Sequence, residues 1–219
     1  MNARCLVLSL LSVAGAARAQ VSAPAELSAG ITGFSSGYTS RGGALVDSFL
    51  APGVDAQLRL PRRDAWTDHV RFIAGLNAVM PLNREGAAPG IASVARVGAD
   101  FARVSFSAGV NLRADATPAH LVLLPSLAAT VRLSNVALEA GVMDRPVGAL
   151  ARVAASYRGV GVGYLFPLGG EAFARIPLGN AWSLALRAYG FKVLSAFNAG
   201  GTVGVVCRWP QNVKAKGAS

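Results

Sequence analysis

Val104-Ser105-Phe106-Ser107-Ala108-Gly109-Val110-Asn111-Leu112-Arg113 is the stretch on which the reading of this chain turns. Val104, Phe106, Ala108, Val110 and Leu112 are apolar, and the residues between them are serine, glycine, asparagine and arginine. A period of two marks a strand whose successive side chains point to opposite faces. Phased from apolar residues alone, the same alternation predicts strands over 25–34, 52–60, 69–80, 91–100, 103–113, 120–133, 136–143, 149–158, 160–168, 172–178, 182–192 and 200–209. The charges then fall on the face opposite the apolar one: Arg71 lies between Val70 and Phe72, and Arg187 between Leu186 and Ala188. Twelve strands result. The runs at 160–168 and 172–178 have the poorest alternation and leave ten as the alternative count.

The ends of the chain place it in a compartment. Met1 to Arg4 form a short basic segment, Cys5 to Ala17 an apolar one, and Ala17-Arg18-Ala19 a small-residue cleavage site before Gln20. This predicts a signal peptide over 1–19, exported through the Sec pathway. A β-barrel domain over 20–209 and a disordered basic tail over 210–219 follow. Cleavage would leave Cys207 as the single cysteine, so no intramolecular disulfide can form. No later run of about eighteen apolar residues offers a helical span, although 53% of the 219 residues are hydrophobic and only 15% charged. The net charge of +10 raises nucleic acid as a partner. Export and the scatter of the arginines along the strands argue against it.

Strands with one wholly apolar face and an exported chain are most economically an antiparallel up-and-down β-barrel in the outer membrane of a Gram-negative bacterium. The connections agree. Those after even-numbered strands are short, at Phe101-Ala102, Ser134-Asn135, Gly159 and Gly179-Asn180, with 61–68 as an exception. Those after odd-numbered strands, at 35–51, 81–90, 114–119, 144–148, 169–171 and 193–199, read as mostly longer extracellular loops. Trp66, Phe101, Trp182 and Trp209 would form a periplasmic aromatic girdle, and Phe34, Phe49, Phe166, Phe191 and Phe197 an outer one. The soluble alternative is a periplasmic β-sandwich. Its solvent face would carry many lysines and carboxylates, whereas the polar face here is glycine, serine, alanine and arginine.

The candidate site is the interior. Arg59, Arg71, Arg96, Arg103, Arg113, Arg132, Arg152, Arg158, Arg175, Arg187 and Arg208 share the inward phase with Glu26, Asp55, Asp100 and Glu139. Such an excess of guanidinium groups predicts a wet, basic lumen that favours small anionic solutes. The structural alternative is that the arginines pair with carboxylates and fill the barrel. Catalysis is not expected: His69 and His120 open strands at opposite ends, and Ser107, near mid-strand, lies too deep to meet His120. No metal site is expected from two distant histidines and Cys207, taken as lipid-facing, and no cofactor is implied. Gly159-Val160-Gly161-Val162-Gly163 lies on a strand without a following helix, so it is not a phosphate loop. Glycine there leaves lumen space or permits curvature.

Ser36-Gly37-Tyr38-Thr39-Ser40-Arg41-Gly42, followed by Ala51-Pro52-Gly53, resembles the S-x-Y-x-x-R-G opening of an uncharacterised proteobacterial outer-membrane family, the Gcw_chp or TorF-like group. The resemblance implies a barrel and no specific activity. Thr202 to Trp209 ends on an aromatic with apolar residues at every second position, which resembles the terminal signal read by the outer-membrane assembly machinery. The expected partners are therefore membrane lipid, lipopolysaccharide and that machinery. The expected function is a passive channel with weak anion preference, with a closed structural or surface-display barrel as the alternative.

Overall fold

The computed structural model describes residues 26–40, 43–59, 69–82, 89–116, 120–143, 150–193 and 196–208. The signal segment 1–19, the connection 61–68, Trp66, Trp209 and the tail 210–219 lie outside the described residues. Twelve strands follow in chain order: β1 (Glu26–Ser40), β2 (Gly43–Arg59), β3 (Val70–Pro81), β4 (Gly90–Asp100), β5 (Val104–Asp115), β6 (His120–Leu133), β7 (Val136–Met143), β8 (Leu150–Tyr157), β9 (Val160–Leu165), β10 (Leu168–Pro177), β11 (Trp182–Val193) and β12 (Ala196–Cys207). Each pairs antiparallel with its sequence neighbours, and β1 pairs with β12 to close the barrel. Closure leaves the sheet without an edge, so its backbone groups find partners around the ring.

The apolar phase faces outward. Leu121 is 67% exposed and Val162 65%, and they belong to a belt that includes Ile31, Val97, Phe106, Leu127, Leu138, Val153 and Val203. No helix among the described residues is long and apolar enough to cross a membrane. Cys207 shares the outward phase of Val203 and Val205 but is buried, with Leu27 and Trp182 as its register partners. Its phase is thus the outward one expected, with the thiol covered on the outer face by its neighbours.

The end where β1 begins and β12 finishes is the proximal end, and the opposite one is distal. Among the described residues the proximal connections are tight, at Phe101–Arg103, Ser134–Asn135, Arg158–Gly159 and Leu178–Ala181. Arg158 and Gly159 take positive φ of 49° and 85°, the pattern of a two-residue hairpin whose twist matches its strands. At the distal end three expected loops are largely strand. Most of 35–51 belongs to β1 and β2, which pair with each other out to Ser40 and Gly43. The 169–171 segment lies within β10, because the chain turns earlier, at Phe166–Pro167. Most of 193–199 belongs to β11 and β12, which pair up to Val193 and Ala196. In each case glycine or a small polar residue had suggested a turn, but the ladder of backbone hydrogen bonds runs through it.

Candidate functional site

The inward residues form tiers along the axis. At the proximal end Arg175 on β10 makes two contacts to Glu26 on β1, at 3.1 and 3.0 Å. Arg208 adds a third at 3.3 Å. The β1–β10 pair spans the two intervening strands, so it ties separated parts of the wall together. On the neighbouring wall Arg71 lies 3.2 Å from Asp100. His69 bonds the Asp100 carbonyl at 2.7 Å through Nδ1, and its ring packs on Phe101 with centroids 4.9 Å apart.

The middle tier centres on Glu171, whose side chain is 0% exposed. Arg152 donates to its Oε1 from Nε at 2.8 Å and approaches it with a second nitrogen at 2.6 Å. The same guanidinium donates to Glu139 at 3.0 Å. Arg187 reaches the other Glu171 oxygen at 3.4 Å. Both guanidiniums sit over the Phe173 ring, 5.8 and 5.9 Å from its centroid. Room for this cluster comes from β9. A Cβ at Gly163 would stand 2.6 Å from Glu171 Oε1, and one at Gly161 would stand 2.5 Å from the Phe173 ring. The glycine alternation thus leaves space for a buried carboxylate and an aromatic ring.

The distal tier is aromatic. Phe34 and Phe49 stack with centroids 4.9 Å apart, Phe191 lies 6.4 Å from Phe34, and Tyr189 lies 6.4 Å from Phe191. Phe34 joins two clusters, one of Phe49, Ala51, Val79 and Ala92, the other of Leu165, Tyr189 and Phe191. Between them on β12 stands Gly200, where a Cβ would meet the Tyr189 hydroxyl at 2.6 Å and the Gly33 carbonyl at 2.5 Å. Arg113 pairs with Asp115 at 2.9 Å and lies 5.6 Å over the Phe49 ring. Phe34, Phe49 and Phe191 are therefore interior residues, which corrects their placement in an outer aromatic girdle. Phe166 and Phe197 do face outward.

The sequence-derived candidates separate into two groups. Arg71, Arg113, Arg152, Arg175, Arg187 and Arg208 come together with Asp100, Asp115, Glu139, Glu171 and Glu26. Asp55 accepts from Ser28 at 3.5 Å. Arg96 stands at an inward position of β4, with Gly109 its register partner on β5. Arg103, Arg132 and Arg158 are exposed at the proximal rim rather than deep in the lumen. Arg59 closes β2 opposite Arg71 in register, and its side chain lies outside what is described. His69 and the first residue of β6, His120, mark opposite ends of the barrel. Two interior carboxylates, Asp115 and Glu171, had escaped the sequence reading. Phase was the available signal: Glu171 shares odd parity with Phe173 and Arg175, and Asp115 with Arg113.

No protein-family model and no curated protein matches the chain. Among solved structures, the translocator domain of the autotransporter NalP from Neisseria meningitidis is 12% identical over 94% of this chain and 96% of that one, with a TM-score of 0.51. A triple mutant of the Rhodopseudomonas blastica porin is 10% identical over 84% and 100%, at 0.28. Neisserial surface protein A is 11% identical over 84% and 97%, at 0.23. The NalP likeness is one of fold: the chain is a closed, twelve-stranded antiparallel β-barrel.

Proposed function

We propose that this chain spans the outer membrane of a Gram-negative bacterium as a narrow barrel filled by its own side chains. It would serve as a membrane scaffold rather than a wide pore, and carry no enzymatic activity. The outward apolar belt supports the membrane setting, because only a closed barrel or a helix satisfies its backbone in lipid. The observation that carries the scaffold reading is the interior itself. Arg175 with Glu26 in the proximal tier and Arg152 with Glu171 in the middle tier bridge non-adjacent strands, and stacked rings occupy the distal tier. Arginines engaged by Glu26, Asp100, Asp115, Glu139 and Glu171 have part of their field neutralised, which weakens the case for a strongly anion-selective lumen.

A second reading, a small-anion channel, draws on the exposed Arg103 and Arg132 at the proximal mouth. Conductance separates the two. The full chain refolded into a planar bilayer, its folding verified by heat-modifiable gel mobility, is expected to stay silent. Discrete steps with an anion-selective reversal potential would overturn the scaffold in favour of the channel. Arg103→Glu, Arg113→Glu or Arg132→Glu would then reduce or reverse the preference. Membrane lipid, lipopolysaccharide and the outer-membrane assembly machinery are the partners this reading requires.

A further inference from the structure

The ladder between β5 and β6 runs at its proximal end to Val104 opposite Val131. One rung further out the Arg132 N–H donates to the Arg103 carbonyl at 2.7 Å, which sets the two arginines opposite each other. Val104, Val131 and Leu133 are exposed on the outer face, so the arginines that alternate with them take the inner one. The register with β7 agrees, since Arg132 stands opposite Ala137, which shares the face of Glu139. Both arginines are exposed and open on the mouth of the lumen. Side chains directly opposite on neighbouring strands stand about 5 Å apart at Cβ, and like charges there repel. The carboxylates nearest in register lie one rung deeper on the flanking strands, Asp100 beside Ser105 and Glu139 beside Thr130. Each is held by another arginine, Asp100 by Arg71 at 3.2 Å and Glu139 by Arg152 at 3.0 Å. Among the described residues no ion pair engages Arg103 or Arg132. On the rung beneath them Ser105 stands opposite Thr130, 1% exposed, with a hydroxyl that has no partner among the described residues.

We propose that Arg103 and Arg132 bind the phosphate group of a soluble phosphate or phosphate monoester at the proximal mouth of the lumen. Each guanidinium presents a planar fork that matches two oxygens of such a group. A dianion between them balances both charges and replaces their repulsion with attraction. The Ser105 hydroxyl on the rung beneath is a further donor with no competing acceptor. A halide would balance one charge and fill neither fork. The pair opens on the side opposite the apolar belt, where lipid headgroups do not reach, which is why a solute is the favoured occupant. The inference goes beyond the scaffold and channel readings and holds for either, since it asks only that the proximal mouth meet water.

The test is phosphorus nuclear magnetic resonance of inorganic phosphate and of glycerol phosphate, titrated with the full chain refolded in non-ionic detergent micelles. Both probes are expected to show saturable line broadening that an equal concentration of chloride does not abolish. The combined Arg103→Gln and Arg132→Gln variant is expected to bind about tenfold more weakly or worse, through loss of charge-assisted hydrogen bonds. The combined lysine variant, which keeps the charge but not the forks, is expected to fall between the two. Arg158→Gln, a rim change outside the pair, is expected to leave binding unchanged. No saturable broadening by the folded wild type, full displacement by chloride, or undiminished binding in the glutamine variant would overturn the proposal. Phosphatidic acid added to the micelles is expected not to compete; competition would overturn the soluble source in favour of a lipid headgroup. If the double variant does not fold, the single ones serve: weaker binding in each supports the pair, and no change in either refutes it. A wild-type chain without a heat-modifiable band would instead overturn the membrane-barrel reading.

Discussion

Glu171 decides how the interior charge is balanced. With its side chain out of contact with solvent, it faces Arg152 and Arg187 on separate strands and gives each a carboxylate oxygen. Reading Gly169-Gly170 as a turn removed it from the strand, and with it the partner of two arginines. The sequence therefore overstated the free positive charge of the lumen. Buried ions cost most when one partner is removed, because the remaining charge keeps its desolvation penalty. Glu171→Gln should accordingly destabilise the folded barrel by about 3 kcal/mol, measured as the shift in urea unfolding of the protein refolded in vesicles. A loss below about 0.5 kcal/mol, the scale of an exposed ion pair, would mean that water screens the cluster.

At the level of the strand, alternation was legible because the two faces of a barrel wall, one apolar and one polar, demand opposite chemistry from neighbouring residues. The β5 pattern, apolar at Val104, Phe106 and Val110 and polar at Ser105, Ser107 and Asn111, is reproduced in which of these residues are exposed and which are buried. Strand ends were less legible. A hairpin ladder continues wherever backbone pairs, whatever the side chains, so β1 and β2 extend through glycine and serine that read as loop. The displaced ends hid the aromatic tier. Phe34, Phe49 and Phe191 each carry the inward parity of their own strands, and height along the barrel was a poorer guide than phase. Parity also predicts where a charge is tolerated. Leu127, 48% exposed at the middle of β6, is outward, so Leu127→Arg should cost about 2–4 kcal/mol in the same unfolding assay. A change under about 1 kcal/mol, as found near a membrane interface, would place this level of β6 outside the hydrocarbon.

For the whole molecule, the question is what occupies the space that closure creates. Strand number and pairing order follow from alternation and short connections, but contacts across the interior do not. Arg175 on β10 and Glu26 on β1 are 149 positions apart in sequence, and their meeting depends on the curvature of the wall. The same holds for Phe34 and Phe191, which approach over Gly200 on the strand between them. The tiers differ in what their removal would do. The two charged tiers are polar even when broken, so a gap there fills with water. The aromatic tier is built of apolar rings, and a narrow apolar constriction resists ion passage by dewetting even when its radius would admit an ion. If this tier is the barrier, the combined Phe34→Ala, Phe49→Ala and Phe191→Ala variant should conduct in a planar bilayer where the wild type is silent. The combined Arg175→Ala and Glu26→Ala variant should fold less stably but remain silent. Conductance arising from the charge-tier variant alone would move the barrier to the proximal end, and silence of both folded variants would require a plug elsewhere along the axis.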